Sequence, residues 1–351
     1  MIKLIIENTD CFMNAVPKAK RKKYGQFFTN VTTALYMASL FDFDTTKPQI
    51  SFLDAGAGTG ILSAAVVQRL IDDGYKGHIH ITCYETDSLV LPLLEENMTI
   101  IKSNANVSFN IINENYITSQ SFEVDTLFRE NESLYDYVIG NPPYLKIPKD
   151  AVEAKSMPAV CHGAPNMYFL FWAMGIYNLK QNQELVYIVP RSWTSGAYFK
   201  KFREYLFSNC DGESVLQETI IVKVKKTLQQ PSTIHITTSS TSDFSDVRSF
   251  DTPYDTVVGK NQYVYLVTNK EDAEVLQKIN HFDKTLPQIN LKMQTGIIVD
   301  FRTREVLRNV LEEGAYPLLY SQHIKGGRVV WPQGKDGEVI KTERESYLQK
   351  N

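Results

Sequence analysis

The chain has 351 residues, 43% hydrophobic and 22% charged, a composition that fits a globular protein and a length that suggests two domains. Its formal net charge is -3, from 37 basic and 40 acidic residues, so no global field attracts a polyanion and any nucleic-acid contact must rest on local patches. Four cysteines (Cys11, Cys83, Cys161, Cys210) lack CxxC spacing, which argues against a zinc site or disulfide scaffold and fits a reducing cytoplasm. The longest strongly apolar stretch, Tyr168 to Tyr177, is too short to span a bilayer, and the start Met-Ile-Lys-Leu lacks the shape of a signal peptide.

From about residue 50 to 190 the pattern alternates strands and helices. Ile50 to Leu53 reads as a strand, followed by a glycine turn at Gly56 to Gly60 and helical spacing from Ile61 to Ile71. His78 to Tyr84 reads as a buried strand, Ser88 to Lys102 as a helix, and Val107 to Ile112 and Tyr135 to Ile139 as strands. Met167 to Leu179 is an aromatic-rich helix, and Leu185 to Val189 a strand stopped by Pro190. The alternation predicts a doubly wound, mostly parallel α/β sheet, which places its ligands at the carboxyl ends of the strands. Beyond Pro190, Val215 to Lys226 and Ser232 to Thr238 look like paired strands. Thr237 to Ser245 reads as a loop, Asn261 to Thr268 as a strand and Lys270 to Phe282 as a helix. The irregular composition that follows sets a domain boundary at 282/283.

Four strand ends carry chemistry. Asp54-Ala55-Gly56-Ala57-Gly58-Thr59-Gly60 follows a strand and opens a helix, so a ligand can approach the backbone closely. A carboxylate at Asp54 repels a pyrophosphate but grips an ammonium group, and the G-x-G-x-G spacing differs from the dinucleotide fingerprint. Glu85 ends the next strand, where an acid accepts ribose hydroxyls or is simply solvated. Asn115-Tyr116 follows the third strand, an amide beside a ring suited to an adenine or to a turn. Asn141-Pro142-Pro143-Tyr144 ends a fourth apolar strand. It is either a proline-terminated turn or a rigid acceptor loop that holds a flat amino-bearing group under a ring.

In this order the residues resemble the N6-adenine DNA methyltransferases with a C-terminal target-recognition domain, the TaqI-type and PstI/BsuBI-type modification enzymes. The resemblance runs over roughly residues 20 to 335. It begins with Gly25-Gln26-Phe27-Phe28-Thr29 and continues through the four strand ends, Asn166-Met167-Tyr168 and Val186 to Trp193. It ends with Val215 to Ile221 and Thr295 to Arg302. The resemblance implies a seven-stranded Rossmann-like methyltransferase sheet in a catalytic domain, residues 1–282. Residues 283–351 would be an irregular α+β target-recognition region, expected to be incomplete. The implied cofactor is S-adenosylmethionine. Thr29 and Asp54 would bind its methionine part and Gly56 and Gly58 would line it. Glu85 would hold the ribose, Asn115 the adenine, and Tyr116 would pack nearby. The family usually has aspartate at the Asn115 position.

The same resemblance implies a direct in-line methyl transfer. Asn141 Oδ1 and the Pro142 carbonyl would accept the two N6 hydrogens of an adenine flipped out of the duplex, and Tyr144 would stack on it. The sequence departs from the family where a second stacking ring is expected; Phe207 is one candidate, a core phenylalanine its other reading. Implied partners are double-stranded DNA and, where the enzyme is not a solitary methylase, a cognate restriction endonuclease, with no metal and no membrane, in the cytoplasm near the nucleoid. Three basic clusters offer phosphate contacts or solvated faces: Lys18 to Lys23; Lys200, Lys201 and Arg203; Lys223, Lys225 and Lys226. Arg302, Arg304 and Arg308 offer base readout or surface decoration. Protein-glutamine, RNA-adenine and cytosine-N4 methyltransferases remain alternatives with related loops. So do a non-catalytic DNA-binding subunit and a nicotinamide dehydrogenase.

Overall fold

The apolar runs read from the sequence become the parallel half of one sheet. In the computed structural model the described residues are 1–15, 29–123, 135–163, 165–216 and 219–282, with 284, 286–293, 307–308, 315–331 and 347–349 beyond them. The parallel strands are β1 (Gln49–Ala55), β2 (His78–Tyr84), β3 (Val107–Ile112), β4 (Tyr135–Gly140) and β5 (Leu179–Pro190). They are followed by β6 (Cys210–Leu216), β7 (Thr219–Lys226), β8 (Thr233–Thr238) and β9 (Arg248–Pro253), giving the order β3-β2-β1-β4-β5-β7-β6-β8-β9. Only β7 and β9 run against the rest. The first seven strands are the expected mostly parallel α/β methyltransferase sheet, and β8 and β9 extend it to nine.

Helices cover both faces. On one side lie α1 (Ile2–Ala15), α2 (Val31–Ser39), α3 (Ile61–Asp72) and α4 (Leu91–Asn104). Ile5, Met37, Val66 and Met98 from these helices close over Phe52, Ile81 and Ile139 of the sheet. On the other side the short α5 (Val152–Ser156), α6 (Met167–Asn178) and α7 (Lys200–Asn209) pack with Leu53, Val138 and Tyr187. Every residue of α6 is buried, as a helix that is apolar all round must be. Asn166 caps its start by accepting from the Tyr168 amide. The sequence reading had not anticipated α1, α2 or β9.

The far edge corrects the expected pairing. Val215 to Lys226 is two strands, and β8 pairs with β6 and β9 rather than with β7. Asn261 to Thr268 is not a strand. Gln262 sits at φ +61°, Val264 donates to the Thr194 carbonyl, and only a single bridge, Val258 to Val264, forms. The short α8 (Tyr254–Val257) and then α9 (Lys270–Asn280) end this unit.

The chain divides into two compact units, Met1–His281 and Phe282–Asn351. In the second, β10 (Leu307–Arg308), β11 (Ala315–Pro317) and β14 (Tyr347–Gln349) form a small sheet, and β12 (Ile324–Lys325) pairs with β13 (Arg328–Val329). The basic run Lys18 to Lys23, Gly25 to Phe28, Gln217-Glu218, Thr295 to Arg302 and Arg304 lie outside the described residues.

Candidate active site

Register brings the chemically loaded residues together. Asp54 pairs with Ile139, Ala55 with Tyr84, Tyr84 with Ile112 and Gly140 with Tyr187. The glycine turn, Glu85, the Asn115 turn and Asn141 therefore leave the carboxyl ends of adjacent parallel strands. In the glycine turn Gly56, Gly58 and Gly60 have φ of +74°, +56° and +79°, conformations that side chains rarely adopt. The amides of Gly56 and Ala57 both donate to the Tyr84 carbonyl at 2.9 Å, which folds the turn back toward β2.

Asp54 is fully buried beneath this turn. Its Oδ2 accepts from Ser63 Oγ at 2.7 Å, and its Oδ1 has no hydrogen-bond partner among the described residues. Burial pushes its pKa up to about 7 although the Ser63 bonds pull it down. An ammonium group placed against Oδ1 would satisfy this acceptor and lower the pKa again. Glu85 Oε2 accepts from the Gly58 amide at 2.9 Å, and Oε1 accepts from the Thr86 and Asp87 amides at 2.8 Å. Burial raises its pKa too, against those three bonds. Two carboxylate oxygens have further acceptor capacity beyond these three donors, which suits a diol.

The turn is held from behind. Thr59 Oγ1 accepts from Thr9 on α1 at 3.0 Å, and its carbonyl accepts from Asn97 Nδ2 at 2.8 Å. Asn97 in turn accepts from Asn8 at 3.0 Å. Nothing local in the sequence marks these partners, because they come from three separate helices and loops.

Asn141 follows Gly140, where the packing leaves no room for a side chain. A Cβ there would lie 2.8 Å from Tyr187 Cε1 and 3.3 Å from the Ala55 carbonyl oxygen. The Asn141 amide donates from Nδ2 to Thr29 Oγ1 at 3.1 Å. The residue assigned by resemblance to the methionine part of the cofactor thus also orients the amide. Tyr144 donates to the Ile188 carbonyl at 3.0 Å and stands edge-on to Tyr168, ring centroids 6.2 Å apart. Tyr168 is hydrogen-bonded to Ser192 at 3.0 Å.

Other expected residues sit differently. Asn115 Oδ1 accepts from the Ile117 and Thr118 amides and its Nδ2 donates to Glu153, so its acceptor already caps a turn. Tyr116 is buried edge-on to Tyr84 and accepts from Asn178. Phe207 lines an apolar cavity with Trp172, Trp193, Val222 and Ile234, whereas the ring contacts around Tyr144 run through Tyr168 to Phe199.

The basic clusters also divide. Arg203 is not a phosphate contact: it is buried, donates to the Trp193 and Gly196 carbonyls and lies over the Tyr263 ring. Lys223 bridges Asp42 and Glu184, and Lys226 donates to the Tyr177 and Leu179 carbonyls. Three positions apart on β7, the two side chains leave opposite faces of the sheet and form no common basic surface. Arg302 lies outside the described residues. No cluster that could hold a metal ion occurs among the described residues, and no helix among them is long and apolar enough to cross a membrane.

A buried acid below a glycine turn, a second acid on the neighbouring strand and an acceptor loop on the other side define a methyltransferase of the Rossmann-like class. The comparisons with known proteins reach the same class. The model of the Eco57I restriction-modification methylase family matches residues 86–219. The type II methyltransferase M.BsuBI of Bacillus subtilis is 30% identical over 362 residues, covering 95% of this chain and 71% of that protein. M.PstI of Providencia stuartii is 33% identical over 334 residues, covering 89% of this chain and 65% of its own length. Among solved structures, the type IIG restriction endonuclease BpuSI shares the fold with a TM-score of 0.52 at 16% identity, over 70% of this chain and 33% of that one. A DrdV–DNA complex gives 0.52 at 15% identity, over 77% and 34%.

The chain belongs to the family of type II restriction-modification methyltransferases. S-adenosylmethionine is the expected cofactor, and the buried, unpartnered Oδ1 of Asp54 is an acceptor that would suit its ammonium group. The chain spans about two thirds of the length of M.PstI.

Proposed function

We propose that this chain methylates the exocyclic N6 amine of adenine in duplex DNA, as the modification enzyme of a restriction-modification system. A cognate endonuclease would be its functional partner. S-adenosylmethionine supplies the methyl group; Asp54 holds its ammonium and Glu85 its ribose. The observation that carries the reading is the orientation of Asn141. Its Nδ2 is tied to Thr29, at the end of the strand beside the glycine turn.

An exocyclic amine is a poor nucleophile because its lone pair is delocalised into the ring. In the proposed reaction Asn141 Oδ1 and the Pro142 carbonyl each accept one N6 hydrogen, which favours a pyramidal nitrogen. Pro142 and Pro143 keep the acceptors fixed, so little reorganisation is needed during transfer. Tyr144, its hydroxyl tied to Ile188, presents a ring to the base. The amine is inaccessible to this geometry inside a duplex, so the nucleotide must rotate out of the stack.

The test is methyl transfer to unmethylated plasmid DNA, RNA and protein side by side, followed by nucleoside analysis of the product. N6-methyladenine in DNA is expected. N4-methylcytosine, or label only in RNA or protein, would overturn the reading. Asn141→Ala is expected to lose at least about a hundredfold in single-turnover rate, typical of a lost preorganised polar group, while calorimetry still shows cofactor binding. Transfer near the wild-type rate would remove Asn141 from the mechanism.

A further inference from the structure

Two residues beyond Tyr144, a feature stands that the methyl-transfer reading leaves unused. The Lys146 ammonium lies 5.8 Å from the centroid of the Tyr198 ring. Tyr198 is 57% exposed, and Leu145, next to Lys146, is 43% exposed. The ring has a prepared seat. Gly163 has φ +77°, and a Cβ there would come within 2.9 Å of Tyr198 Cδ1. A large aromatic side chain fitted against a glycine, yet left more than half open, is set up to meet something outside the protein.

The location follows from contacts. Tyr198 belongs to a 3-10 turn, Ala197–Phe199, shortly after the end of β5. Phe199 packs against Tyr168 at 5.8 Å, and Tyr168 stands beside Tyr144. The Lys146–Tyr198 pair therefore lies on the rim of the strand-end cleft. Arg191, Lys200 and Lys201 are exposed on the same stretch of chain. Glu204 lies 3.8 Å from Lys200 and offsets part of its charge, and Lys201 reaches the Pro158 carbonyl at 3.4 Å. The local balance remains positive although the whole chain carries -3.

We propose that Lys146 and Tyr198 grip the DNA strand beside the target nucleotide. Lys146 takes a phosphate, and the Tyr198 ring stacks on the base left unsupported when its neighbour rotates out. The Lys146 ammonium lies over the ring, yet more than half of Tyr198 stays exposed, so the aromatic surface that remains can take any base while the cation meets the phosphate that follows. This grip rests on the DNA-methyltransferase reading and adds the contact that holds the strand. Lys146 is set apart from Asn141 by its chemistry: it touches backbone charge and not the reacting amine.

The experiment uses the full chain and plasmid DNA from a methylation-free host, with Tyr198→Ala, Tyr198→Phe and Lys146→Gln. DNA affinity is read by fluorescence anisotropy over a salt series, and methyl transfer by label incorporation. Tyr198→Ala is expected to weaken DNA binding and raise the KM for DNA about 5- to 100-fold, the range of one lost stacking contact, with Tyr198→Phe near wild type. Lys146→Gln is expected to lower the slope of log affinity against log salt by about one phosphate contact. DNA affinity and salt slope equal to wild type in both Tyr198→Ala and Lys146→Gln would overturn the grip. So would a matching loss of cofactor affinity in Tyr198→Ala, since that marks a structural role. Wild-type protein that binds DNA through this pair but transfers no methyl group would leave the grip standing and overturn the parent reading instead.

Discussion

The proposed contact between Asp54 and the cofactor ammonium makes affinity depend on pH in a calculable way. The carboxyl is fully buried, and burial pushes its pKa up to about 7, so at pH 6 the free protein carries it protonated about ten times in eleven. The open Oδ1 acceptor needs the charged form to hold an ammonium, and that contact lowers the pKa in the bound state. Binding below pH 7 therefore expels a proton. Affinity at pH 6 is expected to be about 11-fold weaker than at its upper plateau, and at pH 5 about 100-fold weaker. The assay is calorimetry with S-adenosylmethionine between about pH 5.5 and 7.5, in two buffers of different ionisation enthalpy, below the usual titration of an α-amino group. Asp54→Asn keeps the shape and removes the titration. It should bind about 10- to 100-fold more weakly at neutral pH, the range of a lost charged hydrogen bond, with a flatter pH profile. Glu85, whose pKa burial also raises, remains in that variant, so any residual slope is attributable to it. A wild-type dissociation constant that is flat over this window, together with an Asp54→Asn variant that binds as tightly as wild type, would refute the ammonium contact.

Gly140→Ala places a methyl group 2.8 Å from Tyr187 Cε1, against a wholly buried ring. It should cost about 1–3 kcal/mol by thermal or denaturant unfolding and slow single-turnover transfer more than it weakens cofactor binding, because Asn141 moves with it. Asp136→Ala strips a buried carboxylate from Lys47 at 2.8 Å, Lys180 at 3.2 Å and Ser51 and should destabilise by about 2–3 kcal/mol in urea, since the two lysines left behind stay in contact with solvent. Burial opposes ionisation of Asp136, but the Lys47 and Ser51 bonds prevail and lower its pKa to about 2. Its stabilisation is therefore full above the unfolded value near 4 and lost as pH falls toward 2; the alanine variant should lose that part of the pH dependence. Asn97→Ala removes the donor to the Thr59 carbonyl and should raise the cofactor dissociation constant by about 2- to 12-fold, the worth of one hydrogen bond, with the effect larger in cofactor KM than in kcat.

The strand-end residues were legible because their signals are local. A glycine turn after an apolar run and two prolines that stop a strand each declare their geometry within a few positions, and a parallel sheet aligns strand ends. What could not be read were partners separated along the chain. Thr29 and Asn141 meet across 112 positions, and Asn97 reaches Thr59 across 38. The same limit explains the far edge. Short strands such as β6, β7 and β8 carry no mark of which neighbour they choose, so Val215 to Lys226 and Ser232 to Thr238 look like one pair where the sheet has the order β7-β6-β8. It also explains the lysines. A basic run on a strand looks like one patch in one dimension, but period-2 alternation and burial send Lys223 to Asp42 and Glu184, and Lys226 to backbone carbonyls. The amide of Asn115 is the instructive case. Its position after the third strand suggested a ligand contact, while its acceptor caps a turn and its donor holds Glu153. An adenine amino group would have to compete with the Ile117 and Thr118 amides for Oδ1. Aspartate, with two acceptor oxygens, can cap a turn and hold an adenine at once, whereas asparagine has one oxygen for both tasks. Because the second oxygen of an aspartate here would face the Glu153 carboxylate, the double variant Asn115→Asp/Glu153→Gln is the one that should strengthen cofactor binding, and calorimetry showing no gain would mean that the turn, not the ligand, is what this position serves.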